Sequence, residues 1–304
     1  MNGTSRREFA KRAAALGAAT LLPSPALAQG AAVPVVSRAI PSSGERLPAV
    51  GLGTARVFDV GDDAAKRAAL AQVVRNLVAG GGALIDTASS YGSSEGVVGD
   101  LVAQAGLRKQ VFIATKLEAP DAEELRGSLE RLRTARVDLL FLHNVRDPQQ
   151  SLAQFRDWKA AGLCRYSGIT STFHRDYGAV EAVLAREKPD FLEIDYSLDD
   201  REAEKRLLPL AAETKVAVLT ALPFGRGRLF RAVRGKALPQ WAQEFDAASW
   251  AQFFLKFLLG NSAVTAVIPG TADAAHMNDN LGAMRGRLPD AAQRKRMIEY
   301  LQTL

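Results

Sequence analysis

Eight short apolar segments alternate with amphipathic segments along most of this chain, and this alternation constrains the fold more than any other feature. The apolar segments are five to eight residues long and rich in branched side chains; they lie at residues 49–54, 83–87, 111–117, 137–143, 164–170, 191–197, 216–222 and 263–270. Apolar strands separated by helices are typical of a parallel sheet that is buried on both faces. Eight such units in one uninterrupted chain predict an α/β fold, a single (β/α)8 TIM barrel.

The segments around these strands support the same fold. Residues 64–80 and 121–135 have helical periodicity, and each is preceded by or opens on an aspartate that is a plausible N-cap. Two short extended stretches within residues 35–54 flank a Pro-Ser-Ser-Gly turn and predict an N-terminal β-hairpin. No linker divides residues 29–304, so we expect one domain. The longest predicted loop, residues 223–246, follows the seventh strand at the end where barrel enzymes build their sites.

The first 28 residues have the order of an export signal. Residues 5–11 contain two adjacent arginines followed by x-Phe-x-Lys, residues 13–22 are apolar, and residues 26–28 form an Ala-x-Ala cleavage pattern. The arginine pair indicates the twin-arginine (Tat) type, so we expect the Tat export machinery as a partner, periplasmic localisation and a mature chain from Gln29. The apolar stretch is too short for a stable membrane span. The alternative is a basic amphipathic N-terminus that stays in the cytoplasm.

Charge and composition exclude several classes of function. The net charge is +6, half of it lies in the first 28 residues, and acidic residues are interspersed throughout. We therefore expect no nucleic acid partner. Cys164 is the only cysteine and the chain has three histidines, so neither a disulfide framework nor a metal site is expected.

Four titratable side chains follow three consecutive predicted strands. Asp86 ends the second strand, Tyr91 lies in the loop after it, Lys116 ends the third strand and His143 ends the fourth. The carboxyl ends of barrel strands form the functional rim, so we expect these groups to lie close together. Burial of Asp86 and Lys116 is costly unless they pair, and we therefore expect an ion pair between them.

This set of residues suits the reduction of a carbonyl group. A lysine beside a tyrosine favours the phenolate, so we expect the pKa of Tyr91 to lie below its ordinary value of about 10. Tyr91 could then deliver a proton to a carbonyl oxygen, and His143 could hydrogen-bond and orient the same oxygen. A separate group has to supply the hydride.

The residues resemble those of the aldo-keto reductases over nearly all of residues 29–304. The resemblance rests on the segments LPAVGLGT, IDTASSYGSSEGVVG, ATKL, DLLFLH, AGLCRYSGIT, LPFGRGRL and VIPGTADAAHMNDN. It implies that Tyr91 is the general acid, that Lys116 and Asp86 tune its acidity, and that His143 orients the substrate. The implied function is the NAD(P)H-dependent reduction of an aldehyde, ketone or sugar-like carbonyl to an alcohol by hydride transfer.

The resemblance also implies a nucleotide site along the rim of the barrel, without a Rossmann fold. The cofactor implied is NADP(H), with NAD(H) possible. The loop from Pro223 would surround the pyrophosphate, and a late segment ending at Asn280 would hold the adenosine half at a helix N-terminus. The cofactor-binding residues implied are Gly53, Thr54, Asp86, Thr170, Ser171, Glu193, Pro223, Phe224, Gly225, Gly227, Gly270, Thr271, His276, Asp279 and Asn280.

Several of these positions depart from the family pattern. Thr170 and Ser171 stand where the family usually has Ser-Asn, and Glu193 stands where it has a glutamine that anchors the nicotinamide amide. An ionised glutamate can only accept hydrogen bonds, whereas glutamine also donates. Gly270 and His276 replace the Lys and Arg that commonly bind the 2′-phosphate, which weakens the preference for NADP over NAD.

Two other functions remain open at this point. The replacements at Glu193, Gly270 and Ala221, where the family often has an aromatic, are compatible with a catalytically weak nucleotide-binding or regulatory barrel. Asp86 and Glu193 could instead form an acid/base pair for hydrolysis, which the separation of their carboxyl groups would decide. Trp241 is a candidate wall of the substrate pocket.

Overall fold

The computed structural model describes residues 34–119, 121–144 and 148–304, and everything below concerns these residues. The predicted export signal lies outside them. Residues Pro34–Leu304 form one compact unit.

Eight parallel strands follow one another in chain order around the sheet, which confirms the (β/α)8 prediction. They are β3 (Leu52–Gly53), β4 (Leu84–Asp86), β5 (Phe112–Leu117), β6 (Val137–His143), β7 (Cys164–Ser171), β8 (Phe191–Asp195), β9 (Ala217–Ala221) and β10 (Val264–Val267). Parallel bridges between Val50 and Val267 and between Gly53 and Gly270 join the two ends of the sheet and close the barrel. A Cβ atom on Gly53 would lie 2.8 Å from the Ile268 carbonyl oxygen, so glycine permits this close approach.

The predicted N-terminal hairpin closes the opposite end of the barrel from the strands' carboxyl ends. Its antiparallel strands are β1 (Ser37–Ala39) and β2 (Arg46–Pro48). Ile40 and Leu47 are buried and pack among the side chains that fill the barrel interior. The hairpin therefore extends the core at the amino ends of the strands and leaves the carboxyl ends free for a site.

Ten helices lie in the described part of the chain. They are α1 (Ala64–Ala79), α2 (Ser94–Gln104), α3 (Ala122–Arg131), α4 (Pro148–Ala160), α5 (Tyr177–Arg186), α6 (Leu207–Thr214), α7 (Arg228–Ala232), α8 (Trp250–Leu259), α9 (Ala274–Gly282) and α10 (Ala291–Gln302). The side chains of Asp63 and Asp121 cap α1 and α3 as predicted. The prediction of an irregular loop over residues 223–246 is partly wrong, because this range contains α7 and two short 3₁₀ helices. None of the described helices combines the length and the apolar character that crossing a bilayer requires.

The two-residue period of the strands places polar groups above the barrel core. Alternate residues of a strand face the same side of the sheet. On four strands a residue of the interior core is followed two positions later by a titratable one: Leu84 by Asp86, Ala114 by Lys116, Phe141 by His143 and Phe191 by Glu193. All four titratable side chains are therefore brought to one end of the barrel.

Candidate active site

Lys116 lies at the centre of a buried ion cluster on the barrel floor. Its side chain is fully buried, and Nζ donates hydrogen bonds to Asp86 Oδ2 at 2.5 Å and to the Thr87 carbonyl oxygen at 3.2 Å. Glu193 Oε2 also lies 3.2 Å from Nζ. The predicted pairing of Asp86 with Lys116 is confirmed. The contact of Glu193 with the same ammonium was not predicted from the sequence.

Tyr91 lies against this cluster in the loop that follows β4. Its backbone N–H donates to the Ala88 carbonyl oxygen, and Lys116 Nζ lies 5.3 Å from the centre of its ring. Burial raises the pKa of Tyr91 to about 12, and the opposing charge of Lys116 does not compensate because Asp86 and Glu193 raise it further. The expectation of a lowered pKa was therefore wrong, since it counted the lysine but not the desolvation and the two carboxyls.

His143 contacts both Tyr91 and a glutamate. The rings of Tyr91 and His143 meet edge to face with their centres 5.9 Å apart, and His143 Nδ1 lies 2.5 Å from Glu118 Oε1. Burial and then the charge of Lys116 lower the pKa of His143, although Glu118 acts in the opposite direction. The imidazole is therefore neutral near neutral pH, with its Nδ1 proton toward Glu118 and Nε2 left as an acceptor.

Glu118 is a partner of His143 that the sequence interpretation missed. It follows Lys116 by two positions, just beyond the end of β5. The two-residue period could have indicated that it faces the same side as Lys116. Its pairing with a histidine on the next strand depends on the loop after β5, which no motif describes.

The surroundings of Glu193 favour its protonated form. Burial, and then the charge of Asp86, raise the pKa of Glu193 to about 8 in spite of the nearby ammonium. This form differs from the ionised glutamate considered in the sequence analysis, which can only accept hydrogen bonds. In its neutral form the carboxyl group can both donate and accept, as the glutamine of the family does.

The cluster forms the floor of a cavity of about 610 Å³ at the carboxyl ends of the strands. Lys116 lies beneath this floor, in contact with Asp86 and Glu193. The predicted site residues that line the cavity are Gly53, Thr54, Asp86, Tyr91, His143, Thr170, Glu193, Pro223, Phe224, Gly227 and Gly270. Residues from seven of the eight barrel strands or their following loops thus meet in one space.

Three predicted cofactor residues are held outside this cavity by their own contacts. The Ser171 hydroxyl donates to Asp176 Oδ2 at 3.0 Å. Gly225 lines a smaller neighbouring cavity of about 390 Å³. The Thr271 hydroxyl accepts a hydrogen bond from the Asp273 backbone N–H at 3.1 Å.

The remaining three predicted cofactor residues lie on helix α9 and also do not line the cavity. His276 is exposed, and Asn280 is buried within the helix packing. Asp279 accepts hydrogen bonds from Ser249 Oγ at 2.7 Å and from Gln252 Nε2 at 2.8 Å. These three residues lie along helix α9 rather than on the floor of the cavity.

The N-terminus of α9 is already capped by a carboxylate. Asp273 accepts hydrogen bonds from the backbone N–H groups of Ala275 and His276, and these contacts lower its pKa. The sequence predicted that these donors would suit a phosphate. In the structure they are engaged by a negatively charged side chain, which repels a phosphate placed beside it.

Three residues of the cavity rim adopt a backbone conformation that is uncommon outside glycine. Arg56, Leu222 and Arg226 have φ angles of 65°, 54° and 53°. Such conformations cost free energy and concentrate at functional sites. None of the three was identified from the sequence, because only the structure shows their dihedral angles.

The rim has the charge and space for an anionic ligand. Arg56 and Arg226 line the cavity, both are exposed, and neither forms an ion pair with another described residue. Gly227 has a φ of 80°, which favours glycine. A Cβ atom on Gly270 would lie 3.2 Å from the Gly53 carbonyl oxygen, so the absence of a side chain leaves this part of the rim open. Free guanidinium groups and close backbone approach are what the pyrophosphate of a nucleotide requires, so these residues fit such a cofactor.

Trp241 does not form a wall of the cavity. Its ring packs edge to face against Phe245, Phe253 and Tyr300, with ring centres 5.5–6.1 Å apart. The candidate role in substrate binding was therefore wrong, because the aromatic cluster beside α8 and α10 takes this side chain.

The carboxyl pair does not have the arrangement of a hydrolase. Asp86 and Glu193 both lie against one ammonium and are each 3% exposed. Hydrolysis requires two carboxyl groups on opposite sides of the bond to be cleaved, with a gap for substrate. Here both carboxyl groups contact the same Lys116 ammonium, at 2.5 and 3.2 Å from Nζ.

Known proteins with similar sequences and structures share this arrangement of strands. Residues 49–296 match the family model described as "Aldo/keto reductase family". Methylglyoxal reductase YeaE of Escherichia coli (strain K12) is 29% identical over 256 residues, which cover 81% of this chain and 88% of that protein. Aldo-keto reductase str7 of Strobilurus tenacellus is 26% identical over 260 residues, covering 69% and 75% of the two chains.

Solved structures show the same fold. An aldo-keto reductase from Klebsiella pneumoniae in complex with NADPH superposes with a TM-score of 0.74 at 24% identity, covering 88% of this chain and 95% of that one. An aldo-keto reductase from Bombyx mori in complex with NADP gives a TM-score of 0.69 at 21% identity, covering 90% and 93%.

Proposed function

The chain belongs to the aldo/keto reductase family, and from this premise we propose that it reduces an aldehyde, ketone or sugar-like carbonyl to an alcohol, with NADP(H) as cofactor and Tyr91 as general acid. The observation that carries the proposal is the assembly of Asp86, Tyr91, Lys116 and His143 around the floor of one cavity. A cluster of buried, mutually perturbed titratable groups in a cavity is the expected signature of proton transfer.

Each residue of the cluster has a role that follows from its contacts. Tyr91 keeps its proton at neutral pH because its pKa is raised to about 12, so it is available as a donor to a carbonyl oxygen. Lys116 stabilises the tyrosinate that remains, and Asp86 fixes the ammonium through its hydrogen bond. His143, oriented by Glu118, borders the same space. The cofactor, when bound, supplies the hydride.

The test is reduction by the purified protein with NADPH, using methylglyoxal first because a relative carries that name, and then simple aldehydes and ketones. Tyr91→Phe should lower kcat/KM by at least about a hundredfold while nucleotide affinity stays within about threefold, because only the proton donor is removed. A regulatory barrel, motivated by Glu193, Ala221 and Gly270, would bind nucleotide without turnover and would be unaffected by Tyr91→Phe.

The choice between NADPH and NADH needs a direct comparison. Gly270 and the capping carboxylate of Asp273 provide no positive charge for a 2′-phosphate. The family habit favours NADP(H), and we propose it as the first cofactor to test. Titration of both nucleotides by fluorescence would decide, and binding of neither would overturn the proposed reduction.

We also propose that the protein is exported through the Tat pathway to the periplasm. The support is the order of twin arginines, apolar stretch and cleavage pattern in residues 1–28. Expression in a bacterium with a Tat pathway should give protein in the periplasmic fraction. Replacing both Arg6 and Arg7 by Lys should retain it in the cytoplasm, whereas equal export of this variant would contradict the proposal.

A further inference from the structure

Two carboxyl oxygens on the cavity floor have no hydrogen-bond partner among the described residues. They are Asp86 Oδ1 and Glu193 Oε2, and both belong to buried side chains. A buried carboxylate oxygen without a donor costs free energy, so such atoms are rare in native structures. Two such oxygens in one cluster, with Lys116 as the one donor beside both groups among the described residues, indicate that the two carboxyl groups share one proton.

The charges in the cluster lead to the same conclusion. In the described part of the chain, Lys116 is the only cation that pairs with either carboxyl. Ionisation of both Asp86 and Glu193 would leave one net negative charge buried beneath the cavity. Uptake of one proton removes this charge, as in other sites where two carboxyl groups lie close together.

One proton can satisfy both unpartnered oxygens. The carboxyl groups of Glu193 and Asp86 both contact Lys116 Nζ, at 3.2 and 2.5 Å, so they lie side by side at one ammonium. A protonated Glu193 can donate a hydrogen bond to Asp86 Oδ1. One proton thus gives both oxygens a partner. The remaining Asp86 oxygen, Oδ2, keeps its hydrogen bond from Lys116.

The proton on Glu193 also decides where the ammonium of Lys116 directs its hydrogens. Two of the three N–H groups go to Asp86 Oδ2 and the Thr87 carbonyl oxygen. The third is available to Glu193 Oε2, at 3.2 Å from Nζ, or to Tyr91, whose ring centre lies 5.3 Å from Nζ. An ionised Glu193 competes for this hydrogen more strongly than a neutral one does.

We propose that Glu193 is a positioning residue of the proton-transfer cluster: it holds a proton that it shares with Asp86, and thereby leaves the third N–H of Lys116 to the hydroxyl of Tyr91. The inference rests on the proposed carbonyl reduction. In this role Glu193 acts on Tyr91 through Lys116.

The proposal predicts a dependence of the reduction on pH. The charged or titratable groups around Glu193 are Asp86 on β4, Lys116 on β5, His143 on β6 and Tyr91 in the loop after β4. Because the pKa of Glu193 is raised to about 8, it loses its proton as the pH rises through this value. The new negative charge takes the third N–H of Lys116 and makes Tyr91 a weaker acid, so reduction should slow above about pH 8.

The test compares the intact protein with Glu193→Gln, whose amide has the same shape, donates to Asp86 at every pH and does not titrate. Glu95→Gln is the matched control, because Glu95 is equally buried but pairs with Thr115 and Arg131 outside the cavity. For each protein, kcat/KM for reduction is measured between about pH 6 and about pH 10. Circular dichroism and thermal unfolding, measured separately, show that each variant is folded.

The unmodified protein and the Glu95→Gln variant should lose about tenfold in kcat/KM for each pH unit above about 8. Glu193→Gln should instead keep one constant value of kcat/KM from about pH 7 to about pH 10, whatever that value is. The same decline in Glu193→Gln would overturn the proposal.

A second measurement separates this inference from the proposed reduction. In protein labelled with ¹³C at the glutamate carboxyl, one NMR signal should titrate near pH 8 and be absent from Glu193→Gln but present in Glu95→Gln. No such signal would refute the shared proton even if the enzyme is active. If no carbonyl is reduced at any pH, the proposed function fails, while the titration still reports on Glu193.

Discussion

At the residue scale, the acidity of each catalytic group is set by its neighbours rather than by its own type. Tyr91 is a weaker acid than free tyrosine, Glu193 is a weaker acid than free glutamate, and His143 is a weaker base than free histidine. Burial is the largest cause in all three. The site therefore keeps neutral Tyr91, Glu193 and His143 near neutral pH around the single Asp86–Lys116 ion pair.

Glu118 should matter for catalysis through the orientation of His143. Glu118→Ala removes the acceptor of the Nδ1 proton, so the ring loses its fixed tautomer, and we expect kcat/KM to fall about tenfold. Glu118→Gln keeps an acceptor at the same place and should recover most of the activity. Steady-state kinetics and ¹⁵N NMR of the histidine ring check this, and unchanged kinetics in Glu118→Ala would contradict the role.

At the scale of elements, the ends of the barrel strands position the residues of the cavity floor, and the loops position the residues of its rim. Asp86, Lys116 and His143 could be predicted as neighbours because each ends a strand and the carboxyl ends of parallel strands share one rim. The contact of Glu193 with Lys116 spans strands that are not adjacent, so no local pattern contains it. Trp241 was misassigned for a related reason, since its partners lie on helices distant in sequence.

Helix α9 gives a prediction about the choice of nucleotide. Asp273→Asn keeps a side-chain acceptor at the helix N-terminus but removes the negative charge, so NADPH should bind about threefold more tightly while NADH is unaffected. Asp290→Asn, the same change at the N-cap of α10, is the control. Fluorescence titration measures both affinities. Equal effects on the two nucleotides would show that Asp273 does not lie near the 2′ position.

At the scale of the whole molecule, the hairpin that adds buried side chains to the core and the cavity of the candidate site lie at opposite ends of the barrel. The hairpin closes one end with Ile40 and Leu47, and the cavity occupies the other. The fold and the meeting of Asp86, Lys116 and His143 at one end of the barrel were predictable because they follow from periodicity and strand ends. The protonation states were not, because they depend on how completely the closed barrel excludes water from the cluster.

Ile40→Ala tests this separation. The side chain is fully buried, so its removal should lower the free energy of unfolding by about 2–5 kcal/mol. The catalytic floor is at the other end, and kcat should therefore change less than about twofold below the unfolding transition. Denaturant unfolding and kinetics measure the two effects, with exposed Ser42→Ala as the control. A loss of kcat in proportion to stability would show that the ends are coupled.

The cavity lies where the first and last strands of the barrel meet, so a ligand bound in it affects how readily these strands separate. Gly53 and Gly270, which pair where the first and last strands meet, both line the cavity. A nucleotide bound there would contact both the first and the last strand and would hold the two together. Fraying that starts by parting these strands has to expel the nucleotide first, so the loaded protein should resist proteases far better than the empty one.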